Sequence, residues 1–157
     1  MSESEKKYII GYTTGVFDMF HIGHLNILRR AKAQCDYLIV GVSTDELVLK
    51  EKNKKPVIPF IERMEIVESI RYVDRVVPQI NKNKLEAWVN LHFDKMFVGS
   101  DWKGSIQWQK IEEEFSPLNV EIVYLTYTDG VSSTKLTKLI KELLDEDNDY
   151  PPIQTSE

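Results

Sequence analysis

His21 and His24 stand three residues apart around Gly23, and they are two of the three histidines in the chain. On a helix that spacing turns two side chains to one side, so imidazoles in a first turn can address one ligand together. The residues before them, Thr14, Gly15, Val16, Phe17 and Asp18, form the approach to that turn. A helix start there would present free N–H groups that favour an anion. Three further segments carry related chemistry. Lys50, Lys52, Lys54 and Lys55 make a cationic stretch, with Lys52 and Lys54 the favoured candidates, and Arg63 follows as a further cation. Asp101 and Trp102 follow Gly99-Ser100, where a carboxylate can accept hydrogen bonds and an indole either gives a flat wall or joins the core. Thr128, Gly130, Ser132, Ser133 and Thr134 bring hydroxyls to the opening of the last helix, as caps or as phosphate ligands. This inventory of donors and cations suits the positioning of phosphates. Asp18, His21 and His24 could in principle hold zinc, but no cysteine or further histidine lies nearby, so no metal ligand is assigned.

These residues need elements to hold them. Tyr8–Thr13 is β-prone and ends at Gly15; Ile22, Leu25, Leu28 and Ala31 then recur at helical spacing over His21–Lys32, and Tyr37–Val42 is a nearly continuous apolar run of the buried parallel kind. Lys50–Lys55, closed by Pro56 and Pro59, reads as a loop. A helix over Phe60–Tyr72 and a strand Arg75–Val77 stopped by Pro78 follow. Helix Lys84–Leu91, strand Lys95–Val98, helix Ile106–Phe115, strand Val120–Leu125 and helix Ser133–Leu144 complete the chain. Trp88 and Trp108 fall within helices and read as packing residues. The alternation predicts an α/β fold: a Rossmann-like single domain with a mostly parallel five-stranded sheet and helices on both faces. In such a sheet ligands bind beyond the carboxyl ends of the strands, where all four chemical segments fall.

At 157 residues and 42% hydrophobic composition the chain suffices for one domain over 1–144, with 145–157 an acidic, disordered tail. A net charge of −5 argues against a nucleic-acid partner. The single Cys35 forms no internal disulfide and reads as a buried thiol, which fits a reducing compartment. Met1–Lys7 lacks the apolar core of a signal peptide and no later run is long enough to insert in a membrane. A cytoplasmic location is expected.

The stretch Gly15-Val16-Phe17-Asp18-Met19-Phe20-His21-Ile22-Gly23-His24 resembles the His-x-Gly-His block of the cytidylyltransferase family, within the nucleotidyltransferase superfamily. Arg71-Tyr72-Val73-Asp74 is similar to that family's Arg-Tyr-Val-Asp block, and Gly99–Gly104 to its nucleoside-contacting turn. Thr128-Asp129-Gly130-Val131-Ser132-Ser133-Thr134 is similar to its last block, except that Tyr127 stands where the family has arginine, which removes a phosphate-binding cation. The resemblance spans Tyr8–Leu143 and looks nearest to the subfamily that activates glycerol 3-phosphate. It implies transfer of CMP from CTP to a phosphorylated small alcohol, with His21, His24, Lys52, Lys54 and Arg63 catalytic. It further implies Thr14, Gly15, Phe17, Asp18, Gly23, Asp101, Trp102 and the last block at the nucleotide, Mg2+ carried by the triphosphate, a homodimer with Arg63 and Arg71–Asp74 near its interface, and a role in cell-envelope polymers. An adenylyltransferase using ATP, or a nucleotide-binding module without catalysis, are the competing readings.

Overall fold

The computed structural model describes residues 7–126 and 133–147. Five strands, β1 (Ile10–Gly15), β2 (Tyr37–Ser43), β3 (Arg75–Gln79), β4 (Lys95–Gly99) and β5 (Glu121–Leu125), form one wholly parallel sheet in the order β3-β2-β1-β4-β5. Six helices connect or follow them: α1 (Ile22–Lys32), α2 (Asp45–Lys52), α3 (Phe60–Glu68), α4 (Lys84–Leu91), α5 (Ile106–Phe115) and α6 (Ser133–Asp147). The chain moves outward from β1 to β3, then returns to the other side of β1 for β4, so the strand order reverses between β1 and β4. At such a switch point the connections diverge and leave a crevice at the carboxyl edge.

Two cores lie on the two faces. On one, Phe17, Leu28, Ala31, Leu38, Val40, Val42, Val67 and Phe97 pack under α1 and α3. On the other, Tyr12, Ile39, Phe93, Met96, Trp108 and Phe115 pack under α4 and α5. Alternate residues of β2 and β4 serve opposite cores, as pleating demands, and helices cover both sides, which is why β2 reads as a continuous apolar run. Trp108 is buried, and Trp88 is partly buried with its Nε1 donating to the Phe93 carbonyl at 3.2 Å, so both tryptophans do pack. Cys35 is half-buried, its thiol donating to the Ala31 carbonyl, and burial pushes its pKa up.

The elements depart from expectation in four places. The charged stretch is not all loop: Asp45–Lys52 is helical, capped by Thr44 Oγ1, which accepts from Leu47 N at 3.1 Å, and closed by Asn53 at φ 54°. Leu47 and Val48 supply its buried side, but two inward residues among lysines are too few to register as helical periodicity. Helix α3 ends at Glu68, since Ser69 turns its hydroxyl back on the Glu65 carbonyl at 2.8 Å. Strand β3 runs through Pro78, which pairs with Val42, because β3 is the sheet edge where a missing N–H on the outer side breaks no ladder. Helix α6 continues to Asp147, three residues past the expected end.

Candidate functional site

A cavity of about 340 Å³ opens at the switch point. Thr14 and Gly15 from the end of β1 and Val98 and Gly99 from the end of β4 form its floor. Phe17, Asp18 and His24 of the histidine turn form one side; Lys52, Lys54 and Lys55 lie on another, and Trp102 with Thr134 and Thr137 of α6 complete it.

The histidine turn is held by its own backbone. Phe17 at φ 55° and Met19 at φ 48° adopt the left-handed region, a costly choice for side chains of this size. Burial of the Phe17 ring, 6% exposed, offsets that cost, and a Cβ on Gly15 would stand 2.9 Å from that ring, so only glycine fits beneath it. His21 then caps α1: its Nδ1 accepts from Gly23 N at 3.0 Å, while His24 Nδ1 accepts from His21 N at 3.2 Å. The reciprocal bonds form a capping box in which imidazoles replace the usual hydroxyl and carboxylate. The rings stack with centroids 3.9 Å apart.

Those two bonds fix the chemistry of the rings. A ring nitrogen that accepts a hydrogen bond carries no proton, so in the neutral ring the proton sits on Nε2. Burial lowers the pKa of both rings, that of His24 to about 4, with neighbouring His21 lowering it further and Asp18 opposing. Both are neutral at physiological pH and each presents an Nε2–H donor. His21 Nε2 is buried and finds no partner among the described residues. An orphaned buried donor costs about 1–3 kcal/mol, which a ligand acceptor would recover.

The carboxylate of Asp18 accepts from Val57 N and Ile58 N, each at 2.8 Å. It acts as a latch, tying the end of the lysine loop to the histidine turn. It is the single carboxylate on the cavity wall among the described residues, and both its oxygens are engaged. No group of three His, Cys, Asp or Glu side chains able to hold a metal occurs among the described residues.

Arg63 requires a correction. The resemblance implies Arg63 as a catalytic cation at the phosphates and near a subunit interface, but its side chain is 0% exposed. Its Nε donates to the Ile58 carbonyl at 2.8 Å, Nη1 to the Val16 and Ser43 carbonyls at 2.7 Å each, and Nη2 to Asp45 at 2.7 Å. Arg63 is a buried clamp joining the histidine turn, the end of β2 and the lysine loop.

Thr14, Gly15, Phe17, Asp18, His24, Lys52, Lys54, Trp102 and Thr134 are thus brought together on one cavity. His21 and Gly23 stand directly behind, in the cap; Asp101 is exposed on the short turn Ser100–Trp102, off the wall. Trp102, 41% exposed, is a wall residue and not core. Thr128, Gly130 and Ser132, with Tyr127, lie outside the described residues, as does the Ser133 side chain. Sequence reasoning missed Thr137, which helical spacing from Thr134 could have found, and Asp45, which no local pattern announces as the partner of a residue 18 positions away.

A family model described as Cytidylyltransferase-like matches residues 12–157. The chain is 39% identical over 132 residues to the glycerol-3-phosphate cytidylyltransferase of Bacillus subtilis (strain 168), covering 83% of this chain and 96% of that relative. It is 36% identical over 130 residues to the FAD synthase of Pyrococcus abyssi (strain GE5 / Orsay), covering 82% of this chain and 88% of that one. Among solved structures, the lipopolysaccharide core biosynthesis protein from Thermoplasma volcanium GSS1 shares the fold with a TM-score of 0.64 at 22% identity, over 76% of this chain and 96% of that chain.

Proposed function

Because the chain belongs to the cytidylyltransferase-like family and is a nucleotidyltransferase, we propose that it transfers CMP from CTP to a small phosphorylated alcohol, glycerol 3-phosphate being the best candidate. A phosphate oxygen of the acceptor attacks the α-phosphorus of CTP; that P–O bond forms as the bond to the β-phosphate bridge breaks, and pyrophosphate leaves with the electron pair. The attacking oxygen is already an anion, so no general base is needed, and the protein has to align and neutralise.

The observation that carries this reading is the pair of neutral imidazoles whose Nδ1 atoms are occupied by backbone N–H groups, leaving one Nε2–H without a partner. Donors fixed in direction before the reaction can strengthen their bonds as charge develops on the transferring phosphoryl group. Lys52, Lys54 and Lys55 offset the charge of the triphosphate, Trp102 offers a face to the base, and Thr134 with Thr137 offers hydroxyls to phosphate. Magnesium, when bound, would screen the departing pyrophosphate, with phosphate oxygens and water as its ligands.

ATP as donor and a flavin phosphate as acceptor form the second reading, favoured by the 36% identity to an FAD synthase. The test is a panel of four nucleoside triphosphates against glycerol 3-phosphate and flavin mononucleotide, with products read by mass spectrometry. CDP-glycerol from CTP is the expected product. Turnover with ATP and the flavin alone would replace this reading with the second.

A further inference from the structure

Trp102 stands on the wall of the switch-point cavity, yet the turn that carries it has few fastenings of its own. Strand β4 ends at Gly99, and Ser100–Trp102 turns back at once with no side-chain cap. Two backbone bonds close the turn, from Lys103 N to the Ser100 carbonyl and from Ser105 N to the Trp102 carbonyl, each at 3.2 Å. Beyond it the chain swings through Gly104 at φ 82°, where an added Cβ would meet nothing within 4 Å, so packing does not clamp that side.

The side chain that ties the turn down is Lys103. Its ammonium lies over the ring of Tyr124, 5.8 Å from the centroid, and it has no carboxylate at ion-pair distance among the described residues. Tyr124 is on β5, where it pairs with Val98 of the cavity floor, so the turn folds back onto the strand beside the one it leaves. Tyr124 is itself fixed from α5. Its hydroxyl donates to the Glu112 carboxylate, and its ring meets that of Trp108 edge-on, with centroids 6.5 Å apart. Burial, with Glu112 adding to it, raises the phenol pKa to about 12, so the donated proton is retained at physiological pH. Donation to an anion pushes electron density into the ring, and a ring with a more negative face attracts a cation more strongly.

We propose that Lys103, seated on the Tyr124 ring and backed by Glu112, is a positioning residue that sets the indole of Trp102 against the base of the nucleotide. The proposal rests on the nucleotidyl-transfer reading and deepens it, because it assigns the group that holds the base wall in place. Adjacent residues divide the work: Trp102 faces the cavity, while Lys103 is anchored on β5. An indole ordered only when the base arrives would lose rotamer freedom at that moment and weaken binding. Fastening it beforehand acts on affinity for the nucleotide and leaves the step at the phosphates untouched.

Two measurements on the full chain test it. In the first, the protein is labelled with fluorotryptophan and its fluorine NMR spectrum is recorded without ligand. The three tryptophans give three resonances, and Trp102→Phe identifies the one of interest. Lys103→Met should shift or broaden the Trp102 resonance while those of Trp88 and Trp108 stay in place, and Lys103→Arg should restore it. A Trp102 resonance that does not move, or movement of all three, overturns the proposal. In the second, nucleotide binding is measured by calorimetry and kcat by steady-state turnover, using CTP, or ATP should the nucleotide panel select it. Lys103→Met should weaken binding about threefold to fivefold with kcat within about twofold of wild type; Glu112→Ala should weaken it about twofold, and Lys103→Arg should bind as wild type does. Unchanged affinity in Lys103→Met, or an equal loss in Lys103→Arg, overturns the proposal. Because the fluorine spectrum needs neither nucleotide nor turnover, a protein inactive with every nucleotide would refute the transfer reading while the Lys103 fastening is still decided.

Discussion

The histidine turn and the lysine loop border the same cavity, yet they are held by different means. The turn fixes itself: two left-handed residues, one of them the buried Phe17, then two imidazoles that cap each other's backbone within four positions. The lysine loop is held at its ends, by the Asn53 cap of α2 on one side and by Asp18 and Arg63 on the other, with the lysines between exposed. The difference fits what the proposed transfer asks of each group. A hydrogen bond weakens steeply when its angle changes, so donors aimed at a reacting atom need a rigid mount. Charge acts with a weak dependence on distance and none on direction, so exposed, tethered lysines serve.

Arg63, from α3, bonds to both regions, through the Val16 and Ile58 carbonyls. Arg63→Met should produce the largest effect, roughly 3–5 kcal/mol lost in urea unfolding, because three carbonyls and Asp45 lose their buried donor. A loss under about 1 kcal/mol would mean that the two regions are held independently. His24→Ala should lower kcat by about 10²–10³-fold with the fold retained. Turnover within a factor of a few of wild type would remove the rigid donors from the mechanism and leave the lysines to act alone.

The same ring predicts a pH dependence. His24 titrates near 4 in the fold against an ordinary 6.5, so between these values the unfolded chain takes up a proton that the fold refuses. Its contribution to stability is whole above pH 6.5, declines as pH falls to about 4, and is level below, a change of about 2–3 kcal/mol after allowance for partial solvent access. His24→Asn, which keeps an acceptor for the His21 N–H, should show a shallower acid limb in unfolding titrations, and identical limbs would mean that the ring is not desolvated. Asp18→Asn should have the smallest effect, about 1 kcal/mol in nucleotide affinity, because an amide can accept one of the two loop N–H bonds but not both. Equal loss in kcat and in affinity would show that the latch also positions the histidines.

Much of this was written in short-range pattern. The alternation of apolar runs with helical spacing announced the parallel sheet, since strands covered on both faces must be apolar throughout. The His-x-Gly-His spacing announced the turn, because the cap that fixes the rings is local to four residues. Helix α2 was hidden because its inward side is two residues wide, and the reach of β3 through Pro78 was hidden because edge position is a property of the sheet.

Sequence alone determined the layer architecture and the turn that carries the two histidines, since each depends on residues within a turn or two of one another. The tertiary structure decided which cations are free. Arg63 and Lys84 look alike in sequence, as single basic residues at or near a helix start, but one is buried among three carbonyls and a carboxylate while the other meets a lone hydroxyl. The electrostatic role of a cation is set by its partners, and those partners lie between 5 and 70 residues away along the chain.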